Sequence, residues 1–386
     1  MTSSHPRRTA VPQASSPAKR RAAALPALLA LSFAPFSAHS SRAQAPAQMQ
    51  PQAAGQPHRT LQQQDIFTDA PFASCHASTV VELRNGDWLA AWFGGSAEGK
   101  PDVAIWSSRH TAAGWSKPAQ LVREPAIASW NPVLFHAADG TLWLYYKFGP
   151  VAAGWTGARM QSADDGRTWS APEHLPAGIL GPIRAKPYVA TDGTIVSGSS
   201  VESYHSWAAW IERSSDNGAT TQKSGPYTLT DPAIQQLTGK APLPDDTTGL
   251  IQPSVVPLGD HLRFYARSTN NIGRICAADS RDGGRTWTPP HALDLANPNS
   301  GIDAVHLRDG RIVLIYNPTA SGRSPLALAV SRDGEHFQRF QTLEDDPGQE
   351  FSYPALIQLA DGDLLMTYTW HRTRIRAVRL PLAQVP

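Results

Sequence analysis

Six short segments of this 386-residue chain each bring a hydrogen-bonding or ionisable side chain to the start of an apolar run. They are Ser74-Cys75-His76-Ala77, Trp130-Asn131-Pro132, Ala185-Lys186-Pro187, Ile251-Gln252-Pro253, Gly301-Ile302-Asp303 and Ser352-Tyr353-Pro354. His76, Asn131, Lys186, Gln252, Asp303 and Tyr353 stand seven to ten positions ahead of a turn glycine. Tyr353 can attack or relay a proton, and His76 titrates near neutrality, at roughly 6.5 when unperturbed. Arg267, Arg323, Arg372 and Arg374, with Lys147, fall in the same part of their repeats and call for an anionic ligand. Arginine's planar fork of donors suits a carboxylate. Glu98 and Glu202 add carboxyls that could exchange protons, Asn317 adds an amide, and Trp92 adds an aromatic face. Trp130, Trp155, Trp207 and Trp370 are further aromatic candidates, each more readily read as core. Proline follows four of the six leading residues and fixes the chain direction where a side chain must be aimed.

The elements that position these residues announce themselves by repetition. An apolar run, a Gly turn and a second apolar run recur at Asn85-Gly86, Asp139-Gly140, Asp192-Gly193, Gly259-Asp260, Asp309-Gly310 and Asp361-Gly362. The gaps between glycines are 54, 53, 66, 51 and 52 residues. Asn-Gly and Asp-Gly between β-type runs predict hairpins, whose two-residue form needs positive φ at both central residues. A second turn keeps phase with the first. Ser162-Ala-Asp164-Asp-Gly166-Arg-Thr168-Trp169 begins 22 residues after Gly140. Copies at Ser214, Ser280 and Ser331 each begin 21 residues after their glycine, and Ser107 opens a decayed one. A hairpin and an Asp-centred turn at this period predict an all-β, six-bladed β-propeller of four-stranded antiparallel blades. The chain ends before the sixth blade can make its outer strand, so the segment from Thr60 to Phe67 is expected to supply it. The polar, Pro-rich residues from Lys223 to Gly249 are expected to form a long loop at the rim.

The bulk numbers agree. A net charge of +2 argues against nucleic acid or an anionic membrane as the main partner. Residues 1–47 contain Lys19-Arg20-Arg21, an apolar stretch from Ala22 to Phe36 and small residues at Ala45 to Ala47. This predicts an export signal and a periplasmic or secreted protein, with no membrane span once the signal is removed. Residues 48–60 read as a flexible spacer and 61–386 as the propeller, expected to act as a monomer. Cys75 and Cys276 fall on opposite sides of the ring and are expected as free, buried thiols. No metal-ligand spacing appears, and no cofactor is expected.

Asp-centred turns on a six-bladed propeller resemble the sialidase (neuraminidase) superfamily, the BNR or Asp-box repeat proteins, over roughly residues 70–380. The resemblance implies a carboxylate-bearing sugar held by three arginines, a tyrosine nucleophile paired with a glutamate, and an aspartic acid as proton donor. Tyr353 matches the nucleophile, Arg267 the second arginine and Arg323 the third. The chain departs from that pattern elsewhere. Cys75-His76-Ala77 stands where the family opens blade 1 with an arginine, and Gln252 stands where it has its glutamate. Glu98 or Asp102 is the nearest match for the donor. A glutamine cannot take a proton from Tyr353, so Glu202 or Lys186 would have to substitute. The resemblance therefore implies an exo-acting glycosidase on a terminal sialic or uronic acid of a glycan. The alternatives are a propeller-fold polysaccharide lyase or rhamnosidase using His76 and Tyr353, and a non-catalytic glycan-binding propeller.

Overall fold

Every turn glycine of the repeat has positive φ, from 58° at Gly259 to 99° at Gly362, and each reverses the chain between two antiparallel strands. A computed structural model describes residues 60–386. The predicted export signal and nearly all of the spacer lie outside the described residues. Blade 1 runs Ser74–Glu82, Trp88–Gly95 and Ala104–Thr111, with a broken outer strand at Gly114–Trp115 and Ala119–Val122. Blade 2 is Ser129–His136, Leu142–Phe148, Thr156–Ser162 and Glu173–His174. Blade 3 is Tyr188–Val189, Ile195–Glu202, Ser206–Ser214 and Gln222–Tyr227. Blade 4 is Thr248–Leu258, His261–Ser268, Arg274–Ser280 and His291–Ala296. Blade 5 is Asp303–His306, Ile312–Tyr316, Leu326–Ser331 and Gln338–Glu344. Blade 6 is Phe351–Gln358, Leu364–Trp370 and Arg374–Leu380, completed by Gln62–Asp65 from the other end of the chain. That closing strand pairs antiparallel with Arg374–Leu380, and Asp65 receives Arg374 and Arg376, both at 2.9 Å.

Each seam between neighbouring blades holds its own apolar cluster, six in all, so the ring is sealed all the way round. Cys75 and Cys276 are free and buried on two different seams, and burial pushes the Cys276 thiol up to about 12. Among the described residues no helix is long and apolar enough to cross a membrane.

Two details differ from expectation. In five hairpins only the glycine is left-handed, and the Asn or Asp before it is not. Its side chain instead accepts the N–H two residues on, as Asp139 does from Thr141 at 2.9 Å. The turns are therefore longer than the two-residue form, with local side-chain bonding replacing the second positive φ. The rim insertion is not all loop either: it carries a strand, Gln222–Tyr227, and a helix, Asp231–Thr238. Thr230 caps that helix by accepting from Ala233, Gly239 ends it at φ 76°, and Ile234 anchors it in the seam between blades 3 and 4.

The Asp-centred turns share one wiring. Ser162 donates to Asp164 and accepts from Gly166, while Asp164 accepts from the Thr168 N–H and hydroxyl, all at 2.7–2.8 Å. Ser214 and Asp216 repeat it, and Ser331 and Asp333 repeat its serine half. The backbone N–H of Thr168 leads in holding Asp164 below the usual carboxylate range, and the Thr220 hydroxyl leads in holding Asp216 down, to about 2. Depressed carboxyls contribute stability that is present above the ordinary value, ~3.9, and lost as pH falls through the folded value. The thermal midpoint is therefore expected to drop as pH is lowered from about 4 towards 2, and a flat profile there would contradict this account.

Candidate active site

Four blades open with the same irregularity. The pairing of the first two strands slips between His76 and Thr79, Trp130 and Val133, Ile251 and Ser254, and Ser352 and Ala355. Within each slip one non-glycine residue is left-handed: Ala77 (φ 58°), Asn131 (34°), Gln252 (57°) and Tyr353 (50°). A bulge of this kind breaks the alternation of the strand and re-aims one side chain. The blade 1 counterpart of Gln252 and Tyr353 is therefore Ala77, and His76 lies one residue out of step.

Tyr353 is the half-buried centre of the site. Its hydroxyl oxygen accepts from Arg267 Nη1 at 2.7 Å and from Gln252 Nε2 at 3.4 Å. The guanidinium carbons of Arg184, Arg267 and Arg323 lie 5.4, 5.5 and 5.4 Å from the ring centroid. The His76 ring lies 4.1 Å away, centroid to centroid. His76 is only 2% exposed, with Nδ1 2.9 Å from Thr369 Oγ1. Burial, and then Arg372, Arg323, Arg184 and Arg267, push its imidazole well below the ordinary value, so it is neutral.

Arg267 is held rigidly, and by neutral partners. Nε and Nη2 donate to Asn299 Oδ1 at 3.0 and 2.7 Å, and Nη1 donates to Gln252 Oε1 at 3.2 Å and to Tyr353. Arg184 is 2% exposed and donates Nη2 to the Pro354 carbonyl, while Nε and Nη1 have no hydrogen-bond partner among the described residues. A Cβ on Gly301 would sit 3.1 Å from Arg184 Nε and 3.3 Å from the Tyr353 ring, so this glycine lets the two pack together. Among the described residues, no carboxylate forms an ion pair with either arginine. The remaining cations are neutralised. Glu350 Oε1 accepts from Arg323 Nη1 at 2.8 Å, Arg372 Nε at 2.9 Å and Ser352 Oγ at 2.7 Å. Arg372 Nη1 also donates to Glu98 on the rim. Lys186 pairs with Asp303 at 3.0 Å. Glu202, half-buried at the end of its strand, has its carboxyl pushed up by burial, with Arg267 opposing and Glu98 reinforcing.

Several residues proposed from sequence sit elsewhere. Trp92 is fully buried in the seam between blades 6 and 1, stacked on Phe67 at 5.1 Å, and faces no ligand. Asn317 is fully buried and donates to the carbonyls of Arg323, Pro325 and Phe351, which shapes the loop that carries Arg323. Asp303 is a knot on the axis: it receives Lys186, the Ser254 hydroxyl at 2.8 Å and the Leu356 N–H at 2.8 Å, so both it and Lys186 are spent on structure. Asn131 is buried, and its carbonyl accepts from Lys147 at 3.5 Å. Lys147 itself is fully buried. Asp102 accepts the Ser96 hydroxyl and N–H, both at 2.8 Å, and those bonds, led by the hydroxyl, hold its carboxyl ionised. It closes its own loop. The sequence reading missed Arg184, Asn299 and Glu350. The signals were present: an arginine between apolar Ile183 and Ala185, and a glutamate three residues before Tyr353.

A family model described as a BNR repeat-like domain matches residues 86–366. A protein of unknown function from Dyadobacter fermentans superposes with a TM-score of 0.68 at 18% identity, over 83% of this chain and 98% of that one. A Hadza microbial sialidase gives 0.63 at 19%, over 82% and 67%. The NanB sialidase from Streptococcus pneumoniae gives 0.65 at 14%, over 84% and 71%. At these identities the likeness is one of fold. No curated protein sequence matches the chain. The repeated turns, the closed ring of blades and the matching family model agree that this chain belongs to the BNR repeat-like domain family and has the sialidase-like β-propeller fold.

Proposed function

We propose that this chain is an exported glycosidase acting on a terminal acidic sugar, a sialic or uronic acid, of a glycan. The observation that carries the reading is Arg267: a 4%-exposed guanidinium, fixed against Tyr353, which donates to the neutral acceptors Asn299, Gln252 and Tyr353. A buried charge left unneutralised by its own chain calls for a charge from the ligand. In this reading the sugar carboxylate docks at Arg267 and Arg323, Tyr353 is the nucleophile or relays the proton, and Glu202, whose carboxyl burial pushes up, is the acid that serves the leaving group. Among the described residues no carboxylate is hydrogen-bonded to Tyr353, which favours a second reading, elimination from a uronic acid with Tyr353 as relay.

Purified protein incubated with sialosides, plant gums and uronic-acid polysaccharides tests both. Released acidic monosaccharide identifies hydrolysis, and an ultraviolet-absorbing unsaturated product identifies elimination. If neither product appears and no acidic glycan is retained, the proposal fails. Asn299→Asp keeps the shape but hands Arg267 a carboxylate. It is expected to weaken binding of an acidic sugar by about tenfold or more, as loss of a charge-assisted contact does, while a neutral methyl ester is unaffected.

A further inference from the structure

Four seams of the ring are closed alike on the face where the hairpin turns lie. An arginine of one blade donates to a backbone carbonyl in the Asp-centred turn of the next: Arg109 to Asp165, Arg159 to Gly218 at 2.7 Å, Arg213 to Gly283 at 3.1 Å and Arg263 to Gly334 at 2.9 Å. The glycine of that turn also nests on the preceding blade. A Cβ on Gly166 would lie 2.9 Å from Leu89, and one on Gly284 2.8 Å from Val196. Leu89 and Val196 each stand three residues after a hairpin glycine, Gly86 and Gly193, and Leu365 stands three after Gly362. Over Leu365 the pattern fails. The decayed copy in blade 1 has Arg109 where the full copies have aspartate, and Thr111 where they have the glycine. With no turn to grip, Arg379 bends back to its own blade, donating Nε to Asp363 at 2.8 Å and Nη2 to Asp361. The seam between blades 6 and 1 is left with an open groove of about 410 Å³, with Leu365 in its floor. That is within the size range of ligand sites, roughly 300–1,000 Å³.

One wall of the groove is aromatic. The half-buried His110 lies flat on Trp88, centroids 4.3 Å apart at 14°, with Trp115 edge-on to it at 5.0 Å. Burial pushes the His110 imidazole below its ordinary value, with Asp87 opposing and Arg379 reinforcing, so it is uncharged at neutral pH. The closing strand lines the groove with the exposed amides of Gln62 and Gln64, two residues apart and so on one face. Asp87 adds a half-buried carboxylate, and Arg379, the cation of the lining, is already paired. An aromatic wall suits the C–H face of a sugar ring, and amide and carboxylate groups suit its hydroxyls. With its cation spent and a carboxylate present, the groove disfavours an acidic ligand. We infer that this groove is a second carbohydrate site, which holds a stretch of neutral glycan on the face opposite the one that opens at Tyr353. It does not depend on the acidic-sugar reading. Its use is as a tether: a protein held on a polymer meets further chain ends at raised effective concentration.

Native electrophoresis of the whole protein through gels containing galactomannan, xyloglucan or dextran tests the assignment, with polygalacturonate as the acidic counterpart. At least one neutral polymer is expected to retard the protein. His110→Ala is expected to weaken that binding by about three- to tenfold, and Gln62→Ala combined with Gln64→Ala by about tenfold. Both changes lie on exposed or half-buried positions, and an unchanged thermal midpoint verifies the fold. Tyr353→Phe is expected to bind the neutral polymer as the unaltered protein does. The assignment is overturned if no neutral polymer retards the protein, if both groove variants bind normally, or if Tyr353→Phe weakens binding as much as they do. Retardation by polygalacturonate that is lost in His110→Ala would put an acidic polymer in the groove and overturn it too. Release of product from acidic glycans is a separate measurement, so either reading can fail while the other stands.

Discussion

Tyr353→Phe is expected to lower turnover of the acidic glycan by about a thousandfold or more, the scale of losing a nucleophile or a positioned proton relay. The phenylalanine ring keeps the face on which Arg184, Arg267 and Arg323 pack, so the cavity wall survives. What disappears is the oxygen that accepts from Arg267 and Gln252. Two buried donors lose one acceptor, at a cost of roughly 1–3 kcal/mol in stability, while Asn299 still holds the other edge of Arg267. The loss should therefore fall mainly on kcat and only modestly on KM. Turnover within tenfold of the unaltered protein would remove Tyr353 from the chemistry and leave it a lining residue.

Lys147→Met is expected to stabilise the protein. Lys147 is fully buried, and among the described residues its ammonium has only the carbonyls of Pro182 and Asn131 as hydrogen-bond partners. Burial pushes its value down to about 7, against a smaller opposing pull from Glu212. An unfolded lysine titrates near ~10.4, so between about 7 and 10 the unfolded chain holds a proton that the folded one has lost. Stability should rise with pH through that window. At neutral pH the penalty is on the order of 4 kcal/mol. Methionine removes the penalty but leaves two carbonyls without a donor, so the net gain is on the order of 2 kcal/mol. Urea titrations from pH 6.5 to 10 check both parts: a higher midpoint in the variant and a flattened pH slope. An unchanged slope would show that Lys147 does not titrate there.

The architecture could be read from sequence because each turn is a local contract. Asp164 finds its partners within four residues, and a glycine in a hairpin needs no distant neighbour. Six such phrases at constant phase fix the blades, and the missing outer strand of blade 6 follows from where the phase runs out. The site was harder because it is made of distances between blades. That Lys186 and Asp303 neutralise one another across the axis cannot be known from two separate strands. The same holds for Trp92, which occupies a buried position in its strand and is taken up by a seam. His76 was placed one residue out of step because a bulge adds a residue without a sequence mark of its own. Arg184 escaped because blade 3 begins with a strand of only two residues, Tyr188–Val189, and gives little pattern ahead of it. Tyr353, Gln252, Arg267 and Arg323 were found because their position relative to the turns, and a family pattern, both pointed to them.

The pairing of Gln62–Asp65 with Arg374–Leu380 joins stretches of chain that are made more than 300 residues apart. On a ribosome, the first of these strands waits through the synthesis of five and a half blades before its partner exists. Until then the sixth blade has an open edge and the ring has no latch, so an incomplete chain cannot settle into the finished ring. Any machine that must handle the polypeptide unfolded, whether chaperone or translocation pore, is given that interval by the topology itself. The same geometry makes the two ends equivalent in failure. Losing either of the two paired strands opens the same blade, and it is the blade that carries Tyr353.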